Sequence, residues 1–263
     1  MTSSGADWPT PGAPVQAEWI TLPPRAVDQA PLRCWWARPA ASVPRGGVLV
    51  LPEVFGVNAW VRSVAERLAA EGYAALAMTL FSRTAPDLEL PYDEASLLEG
   101  RSHKERTTTP QLLDDLALAA DWLQQSLERP GVDLSCVGFC FGGHVAMLAA
   151  TLPAIAATVS FYGAGVASGR PGGGSPTLDL VPSIQGRLLC IYGSEDPLIP
   201  AADREVIAAA LAAANRERPA GSEHRLRVLE GGHGFMCEAR SDHQPASAQA
   251  GWAELLAWLG CGL

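Results

Sequence analysis

Short, almost wholly apolar runs alternate along this chain with longer segments in which apolar residues recur every three or four positions. Gly47–Leu51 and Tyr73–Leu80 are runs of the first kind, and such uniform hydrophobicity is typical of strands that are covered on both faces. Between them, Trp60, Val64 and Leu68 share one face of a helix. The pattern therefore predicts a strand, a helix and a second buried strand in succession.

The same alternation continues to the C-terminal end. Further strands are predicted at Ala17–Leu22, Leu32–Ala37, Val132–Phe139, Ala154–Tyr162, Leu188–Tyr192 and Arg225–Leu229. Further helices are predicted at Pro110–Leu127, Gly142–Leu152, Ala201–Asn215 and Trp252–Leu259. Strands that alternate with helices form βαβ units, so we expect an α/β fold with a mostly parallel central sheet and helices on both faces.

Three stretches fall outside the alternation. Residues 1–14 are small, polar and rich in Pro, so we expect a flexible lead-in followed by a single domain over residues 15–263. Residues 81–109 are irregular and polar, and a connection of this length is usually functional or contains a short helix. The glycine-rich residues 163–176 are expected to form a surface loop.

Composition and charge narrow the class of protein. Apolar residues make up 48% of the chain, enough for a sizeable core, and 28 acidic residues outnumber 19 basic ones. A negative surface of this kind disfavours nucleic acid and anionic lipid as partners. The first residues lack the charged and apolar regions of a signal peptide, and no apolar run has the length of a membrane span.

The cysteines and histidines form no recognisable metal or disulfide motif. Cys34, Cys136 and Cys190 lie in predicted strands and no C-x-x-C pair occurs, so we expect buried thiols in a reducing cytoplasm. No pair of histidines has metal-ligand spacing, and no metal or cofactor is expected. Polar sequence contexts predict that the exposed histidines are His103, His224 and His243.

The segment Gly138-Phe-Cys-Phe-Gly-Gly143 lies between a predicted strand and a predicted helix. This is the nucleophile-elbow pattern, in which a strained turn between small residues lifts the central side chain clear of the sheet. The N-terminus of the following helix favours a thiolate at Cys140, and the N–H of Phe141 would face a developing oxyanion. The alternative is a core thiol in a glycine-rich turn.

Two further turns supply the partners that a nucleophilic thiol requires. Gly193-Ser-Glu-Asp196-Pro197 follows one predicted strand, and Gly231-Gly-His233-Gly-Phe235 follows the last one. The chain order nucleophile, acid, histidine is that of α/β-hydrolases, in which the acid fixes the tautomer of the imidazole. Asp196 could instead be a turn residue, with Glu195 as the weaker candidate for its role, and His233 could cap its loop structurally.

A fourth motif, Pro52-Glu53-Val54-Phe55-Gly56-Val57-Asn58, places a carboxylate at the end of a buried strand, where it is costly unless it has a partner. With these four motifs in order, residues 15–259 resemble the dienelactone hydrolase (carboxymethylenebutenolidase) family. The resemblance implies an α/β-hydrolase fold without a separate cap domain. It also implies hydrolysis of a small lactone or ester through an acyl-thioester, with no cofactor.

The same resemblance implies a role for each motif residue. The implied catalytic residues are Cys140, Asp196, His233 and Glu53, with the amides of Val54 and Phe141 as the oxyanion hole. In the family, the glutamate at the position of Glu53 holds the resting thiol and takes its proton when substrate arrives. The implied substrate-binding residues are Arg83, Tyr162, Phe55 and Cys237, with Arg83 gripping a substrate carboxylate.

One departure from the family pattern leaves the substrate open. Cys237 stands where dienelactone-specific members carry a second arginine, and Arg240 is the nearest candidate to replace it. A general small-ester hydrolase without an anion requirement is one alternative function. A catalytically silent homologue that binds a ligand is another, although such a protein would not need Glu53 and His233 together. Either a monomer or a homodimer is compatible with the sequence.

Overall fold

The computed structural model describes residues 13–26, 29–127 and 131–260, so most of the predicted lead-in 1–14 lies outside the described residues. Eight strands form one sheet: β1 (Val15–Leu22), β2 (Leu32–Pro39), β3 (Gly47–Leu51), β4 (Ala74–Met78), β5 (Leu134–Phe139), β6 (Ile155–Phe161), β7 (Arg187–Gly193) and β8 (Arg225–Leu229). Their spatial order is β1-β2-β4-β3-β5-β6-β7-β8. β2 pairs antiparallel with both neighbours and the strands from β4 to β8 pair in parallel, which confirms the predicted sheet.

Helices cover both faces of this sheet. They are α1 (Ala59–Ala70), α2 (Glu94–Glu105), α3 (Thr109–Ser126), α4 (Phe141–Ala149), α5 (Ala201–Asn215) and α6 (Pro245–Gly260), with a 3-10 helix at Thr177–Ser183. Val48 and Val50 of β3 pack in one core with α1 and α6, whereas Leu49 and Leu51 pack in another with α3 and α4. Burial on both faces explains why this strand is uniformly apolar. In the described part of the chain, no separate cap lies over the sheet.

Helix α2 lies within the stretch that the sequence predicts as irregular. Its N-cap, Asp93, accepts a hydrogen bond from the backbone N–H of Ser96 at 2.8 Å. The residues that it buries are small or polar, namely Ser96, Gly100 and His103. Hydrophobic periodicity cannot reveal such a helix, because its inward face carries no apolar repeat.

Two of the three histidines predicted to be exposed are buried. His103 bonds Thr84 Oγ1 through Nδ1 at 3.0 Å, and His224 accepts a hydrogen bond at Nδ1 from the Leu188 N–H at 3.2 Å. Polar neighbours in sequence do not imply exposure when a polar partner is available in the interior. The predicted burial of the strand thiols of Cys34, Cys136 and Cys190 is confirmed.

The carboxyl ends of five parallel strands meet at one edge of the sheet, where ligands bind in folds of this kind. Glu53 follows β3, Cys140 follows β5, Tyr162 follows β6, Asp196 follows β7 and His233 follows β8. The fold thus gathers all the predicted catalytic side chains at a single edge, although they are separated by up to 180 positions in sequence.

Candidate active site

Cys140 occupies the turn between β5 and α4 in a strained conformation. Its φ of 54° and ψ of −115° are rarely adopted by residues other than glycine, and such strain is concentrated at functional sites. The flanking glycines are required by close approach: a Cβ on Gly138 would lie 2.0 Å from the Gly142 carbonyl oxygen, and one on Gly142 would lie 2.2 Å from that of Leu51. The half-buried Cys140 side chain is therefore presented by a turn with the geometry of a nucleophile elbow.

Helix α4 begins immediately after Cys140. Because Phe141 is its first residue, the backbone N–H of Phe141 has no acceptor within the helix. The aligned peptide dipoles place partial positive charge at this end, next to the thiol. Val54, in the turn after β3, and Phe141 both line the cavity that contains Cys140.

His233 and Asp196 form a buried hydrogen-bonded pair. His233 Nδ1 lies 2.8 Å from Asp196 Oδ2, and the two side chains are 7% and 0% exposed. The other carboxylate oxygen, Asp196 Oδ1, accepts a hydrogen bond from the Leu198 N–H at 2.8 Å. Since a carboxylate oxygen accepts, Nδ1 of His233 donates to Asp196 Oδ2, and Nε2 is the ring nitrogen that this pair leaves without a partner among the described residues.

The imidazole of His233 binds its second proton strongly. Burial alone would lower the pKa of His233, but Cys140 and Asp196 together raise it to about 10. His233 Nε2 is buried and makes no hydrogen bond with the described residues. The negative charge of an ionised Cys140 nearby nevertheless raises the pKa of His233. This arrangement favours an imidazolium when the thiol is ionised.

The ring of Tyr162 packs against the imidazole of His233. It follows β6 with a φ of 39°, its N–H donates to the Ile191 carbonyl at 2.8 Å, and its ring packs edge-on against the His233 ring with 5.3 Å between centroids. The side chain is fully buried and is absent from the lining of the cavity. Tyr162 therefore packs against His233, whereas the family resemblance implies a place for it in the substrate pocket.

Glu53 is completely buried and is paired with Arg240. Arg240 Nη1 donates to Glu53 Oε1 at 3.2 Å, while Glu53 Oε2 makes no hydrogen bond with the described residues. Burial raises the pKa of Glu53, and the nearby charges of Arg240 and His233 offset only part of this shift. No hydrogen bond joins Glu53 to Cys140 within the described part of the chain, in contrast to the contact that the family resemblance implies.

A cavity of about 670 Å³ opens above Cys140. Its lining comprises Val54, Phe55, Leu97, Arg101, Lys104, Cys140, Phe141, Ala164, Gly165, Pro197, Leu198, Gly232, His233, Arg240 and Asp242. Of the four predicted substrate-binding residues, only Phe55 lies in this lining. Most of the surface is apolar, with three cationic side chains and one carboxylate, which suits a small apolar molecule carrying negative charge.

The structure does not bring Arg83 into the cavity. Its Nη1 donates to Asp115 Oδ2 at 2.8 Å, and Asp115 is a buried carboxylate that needs this cation. Cys237 is likewise buried behind the site, and burial raises the pKa of its thiol to about 12. The cations at the cavity are Arg101 and Lys104 of α2 together with Arg240.

The residues of α2 that line the cavity are not among those predicted from the sequence, although their spacing in the sequence indicates a shared helical face. Leu97, Arg101 and Lys104 are spaced four and three positions apart and therefore share one helical face. The N-cap Asp93 marks the start of that helix.

Neither a cluster of metal ligands nor a helix able to span a membrane is found among the described residues. No three side chains of His, Cys, Asp or Glu come together there as a set of metal ligands. None of the helices in residues 13–26, 29–127 and 131–260 combines the length and hydrophobicity needed to cross a bilayer.

Comparisons with known proteins agree with this geometry. Residues 32–262 match the sequence model of the dienelactone hydrolase family. A Synechocystis protein provisionally named carboxymethylenebutenolidase is 34% identical, with 92% of this chain and 95% of that protein covered. A Salmonella typhimurium protein with the same provisional name is 32% identical, with 95% and 88% covered. The crystal structure of a provisionally named dienelactone hydrolase from Klebsiella pneumoniae superposes with a TM-score of 0.80 at 29% identity, covering 93% of this chain and 98% of that one.

Proposed function

This chain belongs to the dienelactone hydrolase family of lactone and ester hydrolases, and on that premise we propose that it cleaves its substrate through Cys140, His233 and Asp196. The observation that carries the proposal is the convergence of a strained elbow cysteine and a buried His–Asp pair on one cavity. A thiol in a packed core would need neither the strain nor the imidazole.

In the first half-reaction, the sulfur of Cys140 attacks the carbonyl carbon of the lactone or ester. The carbonyl oxygen becomes an oxyanion, which the N–H groups of Val54 and Phe141 stabilise. The carbon–oxygen bond to the leaving alcohol then breaks, and His233 donates its Nε2 proton to that alkoxide. The product is an acyl-thioester on Cys140 and, for a lactone, the alcohol remains tethered to the acyl group.

In the second half-reaction, water enters the site, and the imidazole that protonated the alkoxide now acts as the base. Neutral His233 takes a proton from water at Nε2, and the resulting hydroxide attacks the thioester carbonyl. Collapse of the second tetrahedral intermediate expels the Cys140 thiolate and releases the carboxylic acid. Asp196 keeps the imidazole in the orientation and tautomer that both proton transfers require.

Glu53 is proposed as the group that accepts the thiol proton when substrate enters. Its raised pKa gives the carboxylate a high affinity for a proton, and Oε2 has no hydrogen-bond partner among the described residues. Arg240 holds the other oxygen at 3.2 Å. The same guanidinium would balance the negative charge of Glu53 before the proton transfer and that of Cys140 after it.

The charge of the cavity supports an anionic substrate. Arg101 and Lys104 are exposed on the face of α2 that lines the cavity, and Arg240 lies on the lining as well. The relatives are named for butenolides that carry a carboxymethylene group, which are anionic lactones. We therefore propose that Arg101 and Lys104 select a carboxylate, in place of the Arg83 that the sequence suggests.

The decisive experiment compares Cys140→Ala and Cys140→Ser with the parent protein on p-nitrophenyl acetate and on a lactone. We expect hydrolysis to fall by roughly three orders of magnitude or more in both, because alanine supplies no nucleophile and a serine hydroxyl is far less acidic than the thiol for which Glu53 and the helix dipole are arranged. Thermal unfolding should show that both variants remain folded. Mass spectrometry of the parent should detect an acetyl group on Cys140 during turnover.

Three outcomes would contradict parts of the proposal. Full activity in Cys140→Ala would remove Cys140 from the reaction. A parent protein that hydrolyses none of a panel of lactones and esters, yet binds one of them, would favour the ligand-binding alternative. Equal kcat/KM for neutral and carboxylated substrates would favour the general esterase.

A further inference from the structure

Gly100 of α2 lies directly against the backbone of Val54. A Cβ at Gly100 would be 2.2 Å from the Val54 carbonyl oxygen, 2.9 Å from its carbonyl carbon and 3.1 Å from its Cβ. These distances are shorter than any ordinary contact, so no residue larger than glycine fits without movement of the helix or of Val54. A glycine also disfavours the helix in which it stands. The close approach of α2 to Val54, rather than helix formation, therefore explains why glycine is found at position 100.

The contact joins the two parts of the structure that border the reacting carbonyl. On one side is Val54, whose amide is a proposed oxyanion donor and which follows Glu53. On the other side is α2, which carries Leu97, Arg101 and Lys104 along the cavity. The fully buried residues of α2 are Ser96, Gly100 and His103, and Leu97 is partly buried against the core that contains Val54. The close approach of Gly100 to Val54 is therefore one of the contacts that determine where α2 lies.

We propose that Gly100 is a positioning residue, which seats α2 on the Val54 carbonyl and thereby fixes both the oxyanion donor and the cationic side of the cavity. This inference rests on the proposed function, because it assumes that the Val54 amide faces the substrate oxygen. Gly100 does not touch substrate, and its effect passes through Val54.

The size of the effect follows from the geometry. A methyl group at Gly100 must separate α2 and Val54 by roughly 1 Å to reach an ordinary contact distance. A misplacement of this size at a reacting centre can cost about 100-fold in rate, and loss of one oxyanion donor costs about 100- to 1,000-fold. We therefore expect Gly100→Ala to lower kcat on p-nitrophenyl acetate by about 10- to 100-fold, with KM changed by no more than about threefold.

The matched control is Gly260→Ala. Gly260 is also helical, at the end of α6, but no atom of the described residues lies within 4 Å of the position of its added Cβ. Both substitutions improve helix propensity. If Gly100 merely filled a helical position, the two variants would behave alike, with unchanged kcat and equal or higher thermal stability.

Alkylation of Cys140 by iodoacetamide separates positioning from a general loss of the site. In that reaction the sulfur displaces iodide, and no carbonyl oxygen becomes negative, so the oxyanion donors do not contribute. We expect Gly100→Ala to keep an alkylation rate within about threefold of the parent while ester hydrolysis falls far more steeply. Alkylation that mass spectrometry localises to Cys140, in a variant whose thermal unfolding is unchanged, also shows that the thiol is still presented in a folded protein.

The outcomes are distinguishable from a failure of the proposed function. If Cys140→Ala remained active, the assigned chemistry would fail, whatever Gly100→Ala does. If Cys140→Ala is inactive but Gly100→Ala keeps the kcat of the parent, the positioning role is overturned. If Gly100→Ala does not fold, Asp93→Ala is the variant that tests the positioning role. Removal of this exposed N-cap destabilises α2 without adding a side chain between α2 and Val54. A several-fold fall in kcat with unchanged alkylation would then support the role, and an unchanged kcat would refute it.

Discussion

Arg240 and Glu53 are joined by a hydrogen bond of 3.2 Å from Nη1 to Oε1, which links the segment before α6 to the end of β3. The same guanidinium donates through Nη2 to the His233 carbonyl at 2.9 Å and through Nε to Asp242 Oδ1 at 3.0 Å. One cation therefore connects the buried carboxylate, the histidine turn and an acidic partner that fixes its own orientation.

Replacement of Arg240 by Gln should destabilise the protein in a pH-dependent way. Burial already raises the pKa of Glu53, and loss of Arg240 raises it further. When the pKa of a carboxyl group is higher in the folded state than in the unfolded state, the free energy of unfolding decreases as the pH rises above the unfolded-state pKa. We expect a penalty of about 2–4 kcal/mol in the free energy of unfolding at pH 8 and a smaller one at pH 5.

Urea unfolding of Arg240→Gln, Glu53→Gln and the double variant at these two pH values checks this prediction. The double variant should recover part of the stability and lose the added pH dependence, since no buried charge remains unpaired. Strictly additive, pH-independent penalties would mean that the two side chains are not coupled.

The cationic face of α2 should determine selectivity for substrate charge. We expect Arg101→Ala and Lys104→Ala each to lower kcat/KM for a carboxylated lactone by about three- to tenfold, because exposed charges are partly screened by solvent. The matching methyl ester should change by less than about twofold. The selectivity should also fall as the salt concentration rises. Arg83→Ala is the control, since its guanidinium is engaged by Asp115. Loss of selectivity in Arg83→Ala alone would restore the role that the sequence suggests.

The sequence predicted the parts of the site that depend on local chain geometry. An elbow needs small residues around one nucleophile, and each acid or base turn directly follows a predicted strand, so Cys140, Asp196 and His233 are identifiable from short motifs. The succession of strands and helices along the chain follows from the apolar runs for the same reason. These features are encoded within a few consecutive residues.

The walls of the cavity depend on long-range packing and were predicted poorly. Arg83 stands in a suitable segment, but the buried Asp115 of α3 needs its charge, and no local pattern reveals that pairing. Helix α2 supplies Arg101 and Lys104 instead, and its buried face lacks the apolar repeat by which helices are identified. Likewise, only the tertiary structure shows that Tyr162 packs on His233 while Arg240 reaches Glu53.

The buried His144 should make the protein sensitive to mild acid. Its Nδ1 donates to the Ala164 carbonyl at 2.9 Å and its Nε2 lies 2.7 Å from Thr177 Oγ1, so the ring is neutral. Burial lowers the pKa of His144 from 6.5 to about 4. The unfolded chain therefore takes up a proton at higher pH than the folded one, and stability falls as the pH drops from 6.5 toward 4.

From pH 7 to pH 5 we expect this histidine to account for a loss of roughly 2 kcal/mol in the free energy of unfolding. Urea unfolding of the parent and of His144→Gln at both pH values isolates the contribution, because carboxyl groups titrate alike in the two proteins. His144→Gln should lose less stability than the parent over this interval, even if it is less stable at pH 7. An equal loss in both proteins would show that His144 does not control the acid response.

Replacement of Asp196 by Asn should leave His233 in the wrong tautomer. The Leu198 N–H, which donates to Asp196 Oδ1 at 2.8 Å, requires an oxygen acceptor at that site. The amide oxygen of Asn would therefore turn toward Leu198, and its NH₂ group would face His233 Nδ1, which now lies 2.8 Å from Asp196 Oδ2. Nδ1 would then have to accept, and the proton of the neutral ring would move to Nε2.

An imidazole protonated at Nε2 cannot take a proton from water, so deacylation should be the step that fails. We expect kcat to fall by roughly 100- to 10,000-fold, with an acetyl-thioester on Cys140 accumulating in p-nitrophenyl acetate and visible by mass spectrometry. Glu195→Gln is the matched control, because Glu195 is an exposed neighbour of the same charge. A large loss in Glu195→Gln with little change in Asp196→Asn would transfer the role of the acid to Glu195. Rapid turnover in Asp196→Asn without an acyl intermediate would show that His233 acts without a fixed tautomer.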